Sequence, residues 1–345
     1  MKRHASLLPW RKGSLLPVEV QKSIYDAASL SRVSITQRGT LNRTIELLAP
    51  LPPNLAPNAE REIRELWSYA QRQQPLHPKR LLLLTPETTL FKWPSVAPLF
   101  FGYIDGRIRQ RALERTSHLP PGGFFLGLLL WRLNDWAAPV REAAEACLTR
   151  CLPQIPPEDL RAALPLMTLR MPSWARGADT GRALPRLLQQ GRGLEALRDA
   201  LMAGHTGPLP RMFKQALKTD LLDRDLPTLA RDARHPQVRE HAARCLLEGK
   251  ARWWVGRSWE WVDKSMGETR EFSVFDSRPV PAPPDRAALI RNCATDRLPG
   301  LRKLAADRLI AGDCPALLAE LLPALAADRN TAVRDRANFL SRKHS

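Results

Sequence analysis

Apolar residues recur at helical spacing over most of the chain. The pattern is clear at 59–73, where apolar side chains stand three or four residues apart at Ile63, Leu66, Trp67 and Ala70. That spacing puts them on one face of a helix. Near the end of the chain the same pattern predicts three helices with tight turns between them, at 299–311, 315–326 and 331–342. The pattern of apolar positions therefore predicts a mostly helical protein.

One stretch departs from helical spacing. Around 250–276 apolar residues alternate at Trp259 and Trp261, and again at Phe272 and Val274, on either side of a Ser-Met-Gly-Glu sequence. Alternation with a period of two, interrupted by a Gly-containing turn, is typical of a β-hairpin. The sequence predicts a small β-hairpin inserted between helices, followed by a Pro-rich linker that ends at 284.

Four segments of the chain repeat nearly the same pattern. An Asp is followed by a polar or Pro-containing turn, an aliphatic–Arg pair and an Ala three residues after the Arg, at 135–144, 232–242, 296–305 and 328–337. A weaker copy contains Arg109. The arginines at 109 and 141, and those at 302 and 334, are 32 residues apart. A fixed period of this length predicts stacked helical hairpins, because one hairpin cannot bury its own apolar face.

The repeated Asp and Arg suit a structural role. An Asp at the turn accepts backbone N–H bonds at the start of the following helix, and an Arg six residues later can reach the Asp of a neighbouring repeat. Contact with phosphates at repeat spacing is the alternative for these arginines. We expect a ladder of ion pairs that joins successive repeats, formed by Asp135, Arg141, Asp232, Arg239, Asp296, Arg302, Asp328 and Arg334.

This Asp/Val-Arg/Ala signature resembles the HEAT-repeat family, in particular its short bacterial repeats. The resemblance covers about two thirds of the chain and is strongest at 232–248 and 290–342. It implies an all-α solenoid of helical hairpins. We expect four segments: a basic arm or divergent cap at 1–55, repeats at 56–249, the hairpin and linker at 250–284, and further repeats at 285–345.

The net charge of the chain indicates which partners to consider. The net charge is +18 and the isoelectric point is near 10.5, which makes polyanions the first partners to consider. A composition bias that only solvates helix faces is the alternative. We expect a non-catalytic binding scaffold for a nucleic acid or an acidic protein, and a pure protein–protein adaptor remains open. Neither the basic start of the chain nor its apolar stretch at 124–131 suits a signal peptide or a membrane span, so we expect a cytoplasmic protein without a membrane partner.

The hairpin is the expected place of binding. Four of the ten Trp residues of the chain lie in it, interleaved with cations. Clustered aromatics with cations suit base stacking or a protein-binding hot spot. In the alternative interpretation the hairpin folds its Trp residues back onto the helices. The candidate binding residues are Trp253, Trp254, Arg257, Trp259, Trp261 and Arg270 in the hairpin, and Arg297 and Lys303 in the repeats.

No recognised catalytic motif is present in the sequence. A weaker resemblance, to HEAT-like alkylpurine DNA glycosylases, comes from a Trp four residues before an Asp, a later aliphatic–Arg helix and an aromatic residue on a further helix. It implies an alternative function, release of alkylated bases, with a catalytic set of Trp259, Asp263, Arg302 and Phe339. Such an enzyme would use the carboxylate to stabilise a cationic sugar.

The sequence predicts no cofactor and no metal site. His241 and Cys245 stand four residues apart on a predicted helix, a spacing that would suit two metal ligands. Packing in the core is the preferred interpretation, because Ala242 of the repeat signature marks the buried face. The five cysteines are expected to be reduced.

Overall fold

The structure is a computed structural model that describes residues 13–29, 35–73, 85–174 and 191–344. It is mostly helical with one small antiparallel sheet, which confirms the all-α class and the small β element. The chain divides into two compact units, Met1–Ala196 and Leu197–Ser345. This division lies inside the segment 56–249 that the sequence grouped together.

Unit 1 is helical throughout its described part. Its α-helices are α1 (Val18–Ser29), α2 (Ile35–Leu48), α3 (Ala56–Gln73), α4 (Pro86–Lys92), α5 (Gly106–Arg115), α6 (Phe124–Arg132), α7 (Ala138–Cys151) and α8 (Pro157–Pro165). Short 3-10 helices lie at Pro53–Leu55, Pro94–Phe100, Leu152–Gln154 and Met171–Ser173, and a π-helix lies at Leu166–Arg170. A further α-helix, α9 (Arg192–Ala203), contains the boundary between the two units.

The first helices of the chain belong to unit 1. Tyr25 of α1 packs its ring against Tyr69 of α3, with 6.1 Å between the ring centroids. Before α1, the Ser14 hydroxyl donates a hydrogen bond of 2.6 Å to Glu62. The described part of 1–55 is therefore packed on the helices that follow it and does not extend from them as an arm.

The centre of unit 1 is the apolar helix α6. Phe124, Phe125 and Leu129 are fully buried there. Gly127 lets this helix approach the Pro53–Leu55 turn, because a Cβ at this position would stand 2.3 Å from the Pro53 carbonyl oxygen. In the described part of the chain no helix is long and apolar enough to cross a membrane.

Unit 2 contains helices and the only sheet of the described residues. Its α-helices are α10 (Leu209–Ala216), α11 (Leu226–Asp232), α12 (Pro236–Glu248), α13 (Arg286–Thr295), α14 (Pro299–Ile310), α15 (Leu318–Ala326) and α16 (Thr331–His344), with 3-10 helices at Asp223–Asp225 and Pro315–Leu317. The strands β1 (Lys250–Asp263) and β2 (Glu268–Pro279) form an antiparallel hairpin between α12 and α13. Helix α12 ends at Gly249, whose φ of +66° is the left-handed conformation that glycine tolerates at a helix end.

Candidate functional site

A ladder of Arg–Asp pairs connects consecutive turns of unit 2. Arg239 at the start of α12 donates hydrogen bonds of 2.9 and 3.1 Å to Asp296, which lies in the turn between α13 and α14. Arg302 of α14 binds Asp328 in the next turn in the same way, at 2.5 and 2.9 Å. This bidentate geometry fixes the orientation of the guanidinium group relative to the carboxylate. These pairs join each helical hairpin to the following one.

Each ladder arginine also binds its own turn. The Nη1 atom of Arg302 donates to the carbonyl oxygens of Asp296 and Arg297, at 2.8 and 2.9 Å. Arg239 donates likewise to Ala233 and Arg234. One guanidinium group therefore satisfies carbonyl oxygens in its own turn and a carboxylate in the neighbouring turn.

The copy of this pair in unit 1 is buried. Arg109 donates two hydrogen bonds of 2.9 Å to Asp135, and Arg132 donates to Asp135 at 2.8 Å and to Glu60 at 2.5 Å. All four side chains are at most 5% exposed. Burial, opposed by these carboxylates, lowers the pKa of Arg132, while hydrogen bonds from Arg109 and from the Ala137 N–H overcome burial and lower the pKa of Asp135.

Three residues expected in the ladder differ from the others. Asp232 is a correction: its exposed carboxylate binds the adjacent Arg231, and within the described residues no arginine of an earlier turn reaches it. Arg141 and Arg334 donate to carbonyl oxygens of their own turns, Asp135 and Asp328, at 2.9 and 2.8 Å. Within the described residues neither arginine binds a carboxylate of a further turn.

Three exposed arginines occupy equivalent positions on consecutive turns of unit 2. Arg234, Arg297 and Arg329 each stand five residues before an arginine of the repeated pattern, and the Nη1 atom of that arginine donates a hydrogen bond to their carbonyl oxygen. All three residues are exposed, and their guanidinium groups form no ion pair or hydrogen bond with the described part of the chain. We call these three residues the turn ridge. Because the ladder joins the three turns, the ridge is a row of unpaired cations on turns that are tied to one another.

Several other arginines of unit 2 have intramolecular partners. Arg244 binds Glu240 and Glu248 on its own helix, and Arg336 binds Asp307. Lys303 is half-buried on α14. Beside the ridge, a cleft of about 470 Å³ lies between the two turns that carry Arg234 and Arg297.

The base of the hairpin is fixed to the helices of unit 2. Arg278 binds the Asp223 carboxylate at 2.6 and 2.8 Å and also donates to the carbonyl oxygens of Leu217 and Thr219. Ala251, which lies opposite Arg278 in the strand register, is fully buried, and Val280 is nearly so. The sequence offered no signal for Arg278, because its partners lie 55–61 residues away along the chain.

Beyond this base, one face of the hairpin is aromatic and exposed. Opposed residues of an antiparallel pair point to the same face, and the register pairs Trp254 with Phe275, Trp259 with Glu271 and Trp261 with Thr269. The aromatic face is thus formed by Trp254, Trp259, Trp261 and Phe275, which are 55%, 64%, 59% and 45% exposed. These rings do not fold back onto the helices, so that alternative is wrong for them.

The other face of the hairpin carries the remaining candidates. Trp253 lies near the base and is half-buried, on the side of Ala251. Phe272 pairs with Ser258 and is 40% exposed on this second face. The two alternating apolar pairs that predicted the strands therefore point to opposite faces, since Trp259 faces Glu271 and not Phe272. The alternation indicated the strands but not their register.

The cations of the hairpin are largely neutralised within it. Arg257 binds Glu271 across the strands at 3.1 and 3.2 Å, and Arg270 binds Glu260 on the second face. The guanidinium carbon of Arg252 stands 4.3 Å from the centre of the Phe275 ring, a cation–π contact. The hairpin therefore offers flat aromatic surface and few free charges.

The residues of the alternative catalytic set make their contacts in different parts of unit 2. Asp263 ends β1 and accepts hydrogen bonds from the Ser265 N–H, the Ser265 hydroxyl and the Met266 N–H, which lower its pKa. Its carboxylate closes the hairpin turn. Arg302 binds Asp328 in the ladder, and Phe339 is exposed on α16. The contacts of Asp263 and Arg302 are those of structural residues.

The cysteines and His241 do not form a metal site in the described residues, where no cluster of three ligands is present. Burial lowers the pKa of His241 to about 4 and raises that of Cys245 to about 11. All five thiols are unbridged. Cys245 is buried in the core, and His241 is half-buried beside it on the same helix.

The chain matches no protein-family model and no curated protein in the comparisons made. Its function is therefore inferred from the contacts, exposure and charge of its own residues. Arg329, part of the turn ridge, was missed from the sequence, although it stands directly after a signature Asp just as Arg297 does.

Proposed function

We propose that the chain is a short HEAT-like helical array that binds nucleic acid as a non-catalytic scaffold, with the turn ridge holding the phosphate backbone. The observation that carries this proposal is the set of three unpaired arginines, Arg234, Arg297 and Arg329, on turns joined by the ladder. Three other arginines of the same turns are engaged in the ladder or in their own turn.

The regularity of the ridge favours a regular polyanion. Packed helices lie roughly 10 Å apart, so equivalent positions of stacked hairpins recur at about that spacing. A nucleic acid presents phosphates at fixed intervals, and a guanidinium fork binds phosphate oxygens in pairs. The net charge of +18 adds long-range attraction to any such ligand. An acidic protein offers carboxylates without this periodicity and is the second candidate.

The ladder supports the proposal through its rigidity. The backbone carbonyl of each ridge arginine accepts a hydrogen bond from Arg239, Arg302 or Arg334, at 3.2, 2.9 and 3.0 Å for the three turns. A cation on a fixed turn loses less conformational freedom on binding than one on a loose loop. The structural arginines thus position the binding arginines.

The test is the salt dependence of binding to a duplex of generic sequence. We expect wild-type affinity to fall steeply with salt, because bound cations release counterions from the duplex. Replacing Arg234, Arg297 and Arg329 together by Ala should weaken binding and lower the slope of log K against log salt by roughly 0.9 per lost phosphate contact. Fluorescence anisotropy of a labelled duplex measures both quantities.

A matched control removes three other positive charges of unit 2 through Arg211→Ala, Arg244→Ala and Arg291→Ala. This control should keep more of the slope than the ridge variant, although the net charge is the same. If the two triple variants lowered the affinity and the salt slope equally, the turn ridge would not be the binding surface. No duplex or single-strand binding at low salt would overturn the function itself and leave the acidic protein as the candidate partner.

A further inference from the structure

We infer that the aromatic face of the hairpin binds unpaired bases, so that the nucleic acid recognised by this protein contains a single-stranded segment. This inference rests on the proposed function and adds that the bound nucleic acid is at least partly single-stranded. Trp254, Trp259, Trp261 and Phe275 form the surface concerned.

The base of the hairpin lies at the opposite end of helix α12 from the turn ridge. Helix α12 starts at the turn that carries Arg234 and runs for 13 residues before the hairpin begins. At 1.5 Å per residue this separates the base of the hairpin from that turn by roughly 20 Å. Helix α13 then returns to the turn that carries Arg297. The aromatic face is therefore a second surface and not an extension of the ridge.

The outer part of the hairpin has exposed surface on both faces. Only its base, around Ala251 and Arg278, is held by the helices. A two-stranded hairpin without a third strand or a covering helix is marginally stable in water. Three exposed Trp side chains on such an element are costly to leave in water, which indicates that a ligand covers them.

The chemistry of the face fits bases better than phosphates. Arg257 is paired with Glu271 and Arg270 with Glu260, so these cations are neutralised within the hairpin. What remains is flat π surface, on which any base stacks. Bases inside a duplex are already stacked on each other, so only unpaired bases are free to use it.

The spacing of two rings also suits bases. Trp259 and Trp261 are two residues apart on one strand, which puts their Cα atoms about 6.7 Å apart and their side chains on the same face. Stacked bases lie about 3.4 Å apart. The spacing of the two positions is therefore about twice the stacking distance, which leaves room for one base between two side chains.

The test compares single-stranded and duplex ligands. With labelled oligothymidine of about 20 nucleotides, each of Trp259→Ala and Trp261→Ala should weaken binding roughly 10-fold, the usual size of one lost stacking contact. Affinity for a duplex of equal length should stay unchanged. Phe272→Ala is the matched control, because this ring is similarly exposed on the opposite face of the same hairpin, and it should leave oligothymidine binding unchanged.

Each outcome separates the inference from the function on which it rests. Duplex binding that is lost in the ridge variant, together with wild-type oligothymidine affinity in both Trp variants, would overturn base stacking and leave the ridge function standing. The stacking inference also fails if the wild type sediments as a dimer that the Trp variants dissociate without a change in oligothymidine binding, since a second copy would then cover the face.

Discussion

At the residue scale, one guanidinium group performs two structural tasks. Arg302 closes its own turn through carbonyl oxygens and reaches Asp328 of the next turn. Asp328 in turn accepts the Asn330 N–H at 2.7 Å, so its carboxylate also starts helix α16. Removing either charge therefore disturbs two helical hairpins and not one.

The first prediction concerns Asp328→Asn, which removes the charge and keeps the shape. We expect a loss of about 2 kcal/mol in the free energy of unfolding at pH 7, typical of a hydrogen bond between charged groups. The Arg302 bond lowers the pKa of Asp328, so its stabilisation is present above the unfolded value near 3.9 and disappears as pH falls through the folded value.

Urea denaturation between pH 7 and pH 2 measures this difference. The gap between wild type and Asp328→Asn should narrow only below about pH 4. Asp335→Asn, on the exposed side of α16, is the control and should change stability by less than about 0.5 kcal/mol. A gap of constant size over the whole pH range would contradict the assignment.

At the element scale, the hairpin depends on its base. Both strands leave the helical part of unit 2 together, and Arg278 with its three partners is the main polar contact that holds them. The outer part is joined by the hydrogen bonds between its strands, by two exposed cross-strand ion pairs and by the turn that Asp263 closes. We therefore expect the contacts at the base to determine how well ordered the whole hairpin is.

The second prediction follows for Arg278→Ala. Loss of this side chain leaves Asp223 and two carbonyl oxygens without their donor, and we expect amide hydrogens of 250–279 to exchange roughly 10-fold faster. Amides of α15 and α16 should keep their exchange rates. Arg270→Ala, which removes an exposed cation near the tip, is the control, and an equal acceleration in that variant would argue against anchoring at the base.

At the scale of the whole molecule, charge and aromatic surface are separate properties. The charge of +18 attracts any polyanion, whereas the aromatic face needs a ligand with flat rings. Binding to a polyanion without bases therefore depends on charge alone. Comparing such a ligand with a nucleic acid tests whether the two surfaces of unit 2 act on different parts of one ligand.

The third prediction uses heparin, a sulfated polysaccharide without bases. The triple ridge variant should elute from immobilised heparin at lower salt than the wild type, while Trp259→Ala should elute at the wild-type position, because stacking contributes nothing there. The charge-matched variant of Arg211, Arg244 and Arg291 again serves as control. A shift caused by Trp259→Ala alone would show that the hairpin contributes to charge recognition.

The sequence by itself determined the helical class and the hairpin, since both depend on local periodicity. It also indicated Arg239 and Arg302 as ladder residues, because each follows an aliphatic residue and precedes an Ala by three positions. It placed Asp232 in the same role, although the structure pairs this Asp with the adjacent Arg231. A ladder Asp needs an arginine from an earlier turn, and the sequence around the Asp does not show whether one reaches it.

Tertiary structure alone decided which cations are free and which aromatic rings are exposed. Arg257 and Arg270 look like free cations in the sequence, but the strand register gives each a glutamate partner. Arg278 anchors the hairpin through residues distant in the chain, and a β-bulge between Trp254 and Gly256 puts Trp254 on the same face as Trp259 and Trp261. Pairing and exposure depend on contacts between distant residues, and local sequence patterns do not specify these.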